Sequence, residues 1–171
     1  RSMNRQHTRA QYLGLIKEIR GIIPECSISQ DIIAGFPNET DNDHQQTIDL
    51  MKKIKYDFGY MFKYSERPGT LAAKKFEDNV SELTKKNRLQ EIVNLQQEHS
   101  NFRTTNFIGK TVDVLIEKES KKSKSQWSGR NEQNTVVVFD KKNYQIGDFV
   151  NVYIKDCTSA TLIGEPINLS N

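Results

Sequence analysis

The chain is poor in the residues from which metal and redox centres are made. Its 171 residues include two cysteines, Cys26 and Cys157, far apart and neither in a C-x-x-C pair. A zinc site or iron–sulfur cluster built by this chain alone is therefore not expected. In a cytosolic setting both thiols are expected to be free. The three histidines, His7, His44 and His99, stand isolated and are expected on helix surfaces. No nucleophile–base pair and no Walker loop is visible. No apolar run reaches the roughly 20 residues of a membrane span, and no secretory signal stands at the start, so no membrane partner is expected. The chain begins at Arg1, which reads as a piece of a longer protein.

What is present is polar but patterned. Hydrophobic residues make up 35% and mean hydropathy is −0.72, yet the apolar residues recur with regular periods that a disordered chain lacks. The net charge is only +3, so its distribution matters more than its size. From Lys118 to Arg130 the basic residues Lys118, Lys121, Lys122, Lys124 and Arg130 face a single acid, Glu119. That segment is either a solvated loop or a polyanion contact.

Along the chain, Thr8 is placed to cap a helix ending at Pro24, with Tyr12, Leu15, Ile16, Ile19 and Ile23 on one face. Ser27 to Phe36 reads as a strand. Thr40, with Asp43 three residues on, opens a helix whose stripe is Ile48, Met51 and Ile54. Tyr56, Phe58, Tyr60, Phe62 and Tyr64 alternate at strand period, and a core layer is the favoured reading over a base-stacking platform. Ser81 opens a long helix carrying Leu89, Ile92, Val93 and Gln96. Strand–helix–strand passages predict parallel pairing, but two strands do not bury a core on both faces. This half, residues 1–104, reads as the end of a larger α/β barrel. Five short strands follow in residues 105–168, punctuated by Gly109, Gly129, Gly147 and Gly164, and suggest a small OB-like barrel.

Three segments bear on chemistry. Asp31 to Thr40 is a strand running into a capped helix, where α/β folds gather ligands. Gly35 there would let a ligand approach the backbone, and Asp31 is either a site carboxylate or a paired structural one. Arg67, in Tyr64 to Thr70, binds an anionic group or pairs with Glu66. Trp127, the only tryptophan, is a barrel-core residue or a partly exposed stacking surface, and its Ser and Gln neighbours favour exposure.

Met3–Arg9 with the Tyr12–Ile16 helix, Asp31–Thr40, Met61–Thr70, Ile108–Val114, Ser120–Arg130, Val136–Phe139, Gly147–Ile154 and Thr158–Glu165 together resemble, in order, the radical-SAM methylthiotransferase family, with the nearest likeness to its MiaB branch. The resemblance implies a C-terminal piece of the enzyme: part of a radical-SAM (βα) barrel, then a TRAM β-barrel. It implies S-adenosyl-L-methionine and two 4Fe–4S clusters in the whole enzyme, and none in this piece, since the family's cysteine triads are missing here. It places Asp31, Gly35, Glu39 and Arg67 at the cofactor end. It places Lys118, Lys121, Lys122, Lys124, Trp127 and Arg130 on the anticodon stem-loop of a tRNA, in the cytoplasm. The implied reaction is methylthiolation of isopentenyl-adenosine beside the anticodon. Threonylcarbamoyl-adenosine in tRNA, or a ribosomal protein, is the alternative substrate, and an RNA-binding module without activity is the third reading. The family's usual Gly is Asn38 here, a residue that tolerates a left-handed backbone.

Overall fold

Thr8 and Thr40 start their helices by the same device. Each hydroxyl accepts a hydrogen bond from the backbone N–H three residues on, and the side chain at that position, Gln11 or Asp43, reaches back to the cap's own N–H. These reciprocal bonds satisfy donors that a helix start leaves orphaned. In the computed structural model, which describes residues 2–167, they begin α1 (Arg9–Ile22) and α2 (Asp41–Ile54). Between them lies β1 (Ser29–Ala34), and after α2 come β2 (Phe58–Lys63), a short α3 (Leu71–Lys75) capped by Thr70, and α4 (Glu82–Thr105). The Ser81 hydroxyl accepts from Thr84 N–H at the start of α4.

The chain divides into two compact units, Arg1–Gln97 and Glu98–Asn171. The boundary drawn from the sequence, between residues 104 and 105, lies seven residues further along. The last turn of α4 makes its own contact in the second unit, where the Thr105 hydroxyl meets the Cys157 thiol at 3.8 Å. Residues 1 and 168, the outer ends of the two expected domains, lie outside the described residues.

In the first unit β1 and β2 pair in parallel, with Asp31 opposite Tyr60 and Ile33 opposite Phe62. One face of this sheet is covered: Ile16, Ala34, Ile48, Met51, Ile54, Tyr56, Ile92 and Leu95 form a single core. Gln96 ties α4 to β1 and to the chain leading into β2, accepting from Gln30 Nε2 at 2.8 Å and donating to Tyr56 O at 3.0 Å. The other face is bare. The aromatic alternation expected as one core layer splits: Tyr56 and Tyr64 are buried, while Phe58, Tyr60 (62% exposed) and Phe62 (59%) stand in solvent. Phe58, Tyr60 and Phe62 share the uncovered face of β2, whereas the two flanking tyrosines lie outside the strand, Tyr56 in the core and Tyr64 packed edge-on against Phe36. Burial, and the hydrogen bond with Tyr12, push the Tyr56 phenol well above its usual pKa.

Other expectations also need correcting. Leu15 and Ile23 of the α1 stripe are exposed, and Leu13 packs on the core in their place. His44 and His99 are buried, not on a helix surface; His44 Nε2 lies 2.7 Å from Glu91 Oε2, so α4 covers that side of α2. Both cysteines are free. No described helix is long and apolar enough to cross a membrane.

In the second unit β3 (Thr111–Glu119), β4 (Gln126–Asn131), β5 (Val136–Asp140), β6 (Phe149–Cys157) and β7 (Thr161–Pro166) close into a barrel in the order β3-β4-β5-β7-β6. All pairs are antiparallel except β5–β7. Val114, Ile116, Val137, Phe139, Val150, Val152, Ile154 and Leu162 fill it. Gly129 and Gly164, read at the ends of their runs, lie within β4 and β7. Each sits opposite a bulge, at Ile116/Lys118 in β3 and at Ile154/Asp156 in β6. A bulge bends its strand inward, and a Cβ on either glycine would come within 2.2 Å of Leu115 O or 2.4 Å of Tyr153 O. These are the two corners that close the barrel. Gly129→Ala and Gly164→Ala are each expected to cost about 1–3 kcal/mol, because the opposing atom is backbone and cannot rotate away. Thermal unfolding followed by Trp127 fluorescence reads this unit alone, and an unchanged midpoint in both variants would contradict the corner role.

Candidate functional site

The loop after β1 is built on glycine and one carboxylate. Gly35 has φ +74 and Asn38 φ +65, both in the left-handed region. Glu39 Oε2 accepts from Gly35 N–H at 2.9 Å, closing the loop on itself. Its other oxygen accepts from Arg88 Nη1 at 3.1 Å, and the same nitrogen donates to Glu39 O at 2.9 Å. Arg88 Nη2 then reaches Asp41 Oδ1 at 2.7 Å. Asn38 is held by Asn79 through two hydrogen bonds, at 2.9 and 2.7 Å. The space beside Gly35 is filled from within: a Cβ there would lie 2.4 Å from Lys85 Cγ. Glu39 and Gly35 are thus engaged with α4.

Lys85 and Arg88 are the residues the sequence reading missed. Lys85 is 1% exposed and its ammonium pairs with Asp78 and Glu82. Burial alone would lower its pKa, but the hydrogen bonds it donates to Asp78 and Glu82 outweigh that and raise it. Hydrogen bonds from Lys63 and then Lys85 lower Glu82 to about 2. A signal was available: Lys85, Arg88, Ile92, Leu95 and Gln96 recur at helical spacing, so the buried stripe of α4 begins with two bases.

On the bare face of the sheet a cavity of about 670 Å³ is lined by Asp31, Ile33, Tyr60, Phe62, Tyr64 and Arg67, among others. Asp31 and Arg67 come together there, and neither forms an ion pair among the described residues, so Arg67 does not pair with Glu66. The Tyr64 hydroxyl is buried with no hydrogen-bond partner among the described residues. Gly35 and Glu39 do not line this cavity.

The second site is a groove of about 400 Å³ on the outside of the barrel. Strand parity decides its lining. Gln126, Ser128 and Arg130 of β4 face outward, as do Val136 and Val138 of β5 and Thr161 and Ile163 of β7. Lys118, Lys121 and Lys122 complete it from the end of β3 and the connection to β4. None of these three lysines forms an ion pair among the described residues. Arg130 is held in place by Asn134, whose O and Oδ1 accept from Nη1 at 2.7 and 3.2 Å, and by Glu117 at 3.5 Å. Lys124 lies on the same connection but does not line the groove. Trp127 has the opposite parity. It packs against the barrel core, its indole N–H is buried without a partner among the described residues, and Lys141 Nζ lies 4.2 Å over its ring.

Residues 106–167 match the model of the TRAM domain. Over all 171 residues the chain is 66% identical to a tRNA-2-methylthio-N(6)-dimethylallyladenosine synthase of Christiangramia forsetii, and 61% identical to one of Flavobacterium johnsoniae. The chain belongs to this family. It covers 36% of the length of each of those relatives. A more distant relative of the same name, from Parabacteroides distasonis, is 52% identical over 165 residues. The family's likeness runs through both units, so the loop clamped by Arg88 and the basic groove are parts of one family sequence.

Proposed function

We propose that the chain is the tRNA-holding part of a methylthiotransferase, and that the groove of the second unit contacts the RNA. The observation that carries this is the placement around one groove of three lysines without an ion-pair partner among the described residues, in a chain whose relatives, over its whole length, are tRNA-2-methylthio-N(6)-dimethylallyladenosine synthases. Phosphates neutralise such a cluster at no cost in broken ion pairs. The anticodon stem-loop, with an N6-dimethylallyl-adenosine as the group modified, is the partner that the relatives' name supports. Residues 105–168 form the RNA-holding domain in this reading, and the cell compartment is the cytoplasm, where tRNA is modified.

Residues 1–104 belong, in the same reading, to the end of a radical-SAM barrel. A parallel sheet covered on one side only, with Tyr60 and Phe62 bare on the other, asks for further chain across that face. S-adenosyl-L-methionine and two 4Fe–4S clusters supply the radical chemistry when bound in the whole enzyme. The residues present fit the first in part. Asp31 and Arg67 offer one charge of each sign to an amino-acid moiety, Tyr60 and Phe62 offer apolar surface, and the orphaned Tyr64 hydroxyl offers a hydrogen bond. Gly35 and Glu39 act behind them, shaping the loop. The clusters do not fit this piece: Cys26 and Cys157 lie in different units, and no group of three metal-ligating side chains gathers among the described residues.

The test is the full-length protein, reconstituted anaerobically and given tRNA carrying N6-dimethylallyl-adenosine, with the nucleosides read by mass spectrometry. The methylthio product is expected. Removal of residues 106–167 should lower kcat/KM for tRNA at least about tenfold, mainly through KM, and the 171-residue chain alone should give none. Product only on threonylcarbamoyl-adenosine tRNA or on a protein would overturn the substrate. Undiminished activity without 106–167 would overturn the role of the groove.

A further inference from the structure

The groove combines two demands that phosphate binding alone does not explain. Its rim carries Lys118, Lys121, Lys122 and Arg130 against one acid, Glu117, which pairs with Arg130, but its floor is aliphatic. Val136 and Val138 lie beside Thr161 and Ile163 in register across the parallel β5–β7 pair. Ser128 pairs with Val138 on the other side and, at 7% exposed, uses its hydroxyl in no hydrogen bond among the described residues. No aromatic ring among the described residues lines the groove. A duplex presents phosphates and riboses while its bases stay stacked, and would leave this floor wet. An unpaired nucleotide carries both a charged backbone and a flat, largely apolar face. The volume, about 400 Å³, is at the small end of the roughly 300–1,000 Å³ range of single-ligand sites.

We propose that the groove seats one unpaired nucleotide of the bound RNA. The base lies on Val136, Val138 and Ile163, with its edge toward the Ser128 hydroxyl, and the flanking phosphates meet the three lysines. This rests on the RNA-holding reading above and makes it selective: loops are bound over stems. It also assigns the stacking role to aliphatic side chains and removes it from Trp127, which faces the barrel interior.

The experiment titrates the 171-residue chain with two labelled RNAs of equal phosphate number, an open-loop hairpin and a blunt duplex, at several salt concentrations. The hairpin is expected to bind about tenfold tighter than the duplex. Val138→Ala with Ile163→Ala should weaken the hairpin about fivefold by removing buried apolar contact, with duplex binding, salt slope and melting temperature unchanged. Val138→Thr, which keeps the shape, should give a smaller loss of the same kind and serves if the double variant is unstable. Trp127→Phe should change neither affinity. Equal affinity of the parent for both RNAs, with the floor variants silent, would overturn the nucleotide seat and leave the RNA-holding reading standing. Failure of the parent to bind either RNA would overturn both.

Discussion

Arg88→Ala is expected to lower the stability of the first unit by about 3–5 kcal/mol, the usual result of removing one partner from a buried charged pair. Arg88 is 7% exposed, and three of its hydrogen bonds end on the β1–α2 loop: two on Glu39 and one on Asp41. Without it the Glu39 carboxylate keeps only the Gly35 N–H, and its second oxygen, on a side chain 14% exposed, is left with no protein donor among the described residues. Asp41 is open to water and loses little. Arg88→Met, which preserves much of the stem, should recover packing but not the clamp, and so fall between parent and alanine. Hydrogen exchange of the Gly35 and Glu39 amides in the 171-residue chain reads the loop directly. Fast exchange at both in Arg88→Ala, with the barrel amides still protected, is the expected pattern. Parent-like protection would show that the loop holds itself.

This clamp was hidden in the sequence for a definite reason. Local devices can be read from a few adjacent residues: Thr8 as a cap, Thr40 with Asp43, and the Ile48–Met51–Ile54 stripe all appear in the fold as the spacing indicates, while Gln11 as the partner of Thr8 emerges only in the structure. Arg88 acts over a separation of 49 residues. Nothing local distinguishes it from a solvated helix base, apart from its place on the stripe that leads to Ile92. Gly35 illustrates the same limit. It reads as a place where a ligand approaches the backbone, but what occupies the space beside it is Lys85 from another helix.

The barrel was legible in outline, since its five strands lie where the short β-rich runs are. Which face each side chain takes was not. That depends on register, and a shift of one residue moves a whole strand's side chains across the sheet. Trp127 and Ser128 are neighbours in sequence and belong to opposite surfaces. Their polar surroundings, Gln126 and Ser128, suggested exposure for Trp127, but those neighbours face the groove while the indole turns inward. The same rule explains β2. An alternation of five aromatics says that alternate residues share a face, but not that the strand extends far enough to include all five, nor that the shared face is covered.

The second large effect concerns the groove itself. Lys118, Lys121 and Lys122 have no ion-pair partners among the described residues, so replacing all three with Ala removes charge without freeing buried acids, and the barrel should keep its melting temperature. Each phosphate that no longer meets a lysine should reduce the slope of log affinity against log salt by about 0.7 for an unpaired strand, hence about 2 for the three together. At low salt the affinity for RNA should fall on the order of 100-fold, with the difference shrinking as salt rises. Lys124, which lies off the groove, provides the matched control: Lys124→Ala removes the same kind of charge from the same connection and should change affinity and slope far less. The measurement is fluorescence anisotropy of a labelled anticodon stem-loop titrated with parent, Lys124→Ala and the triple variant across a salt series. A flattened slope and a large loss confined to the triple variant are the predicted result. A triple variant that binds as tightly as the parent, with the same slope, would contradict the assignment of this groove to RNA.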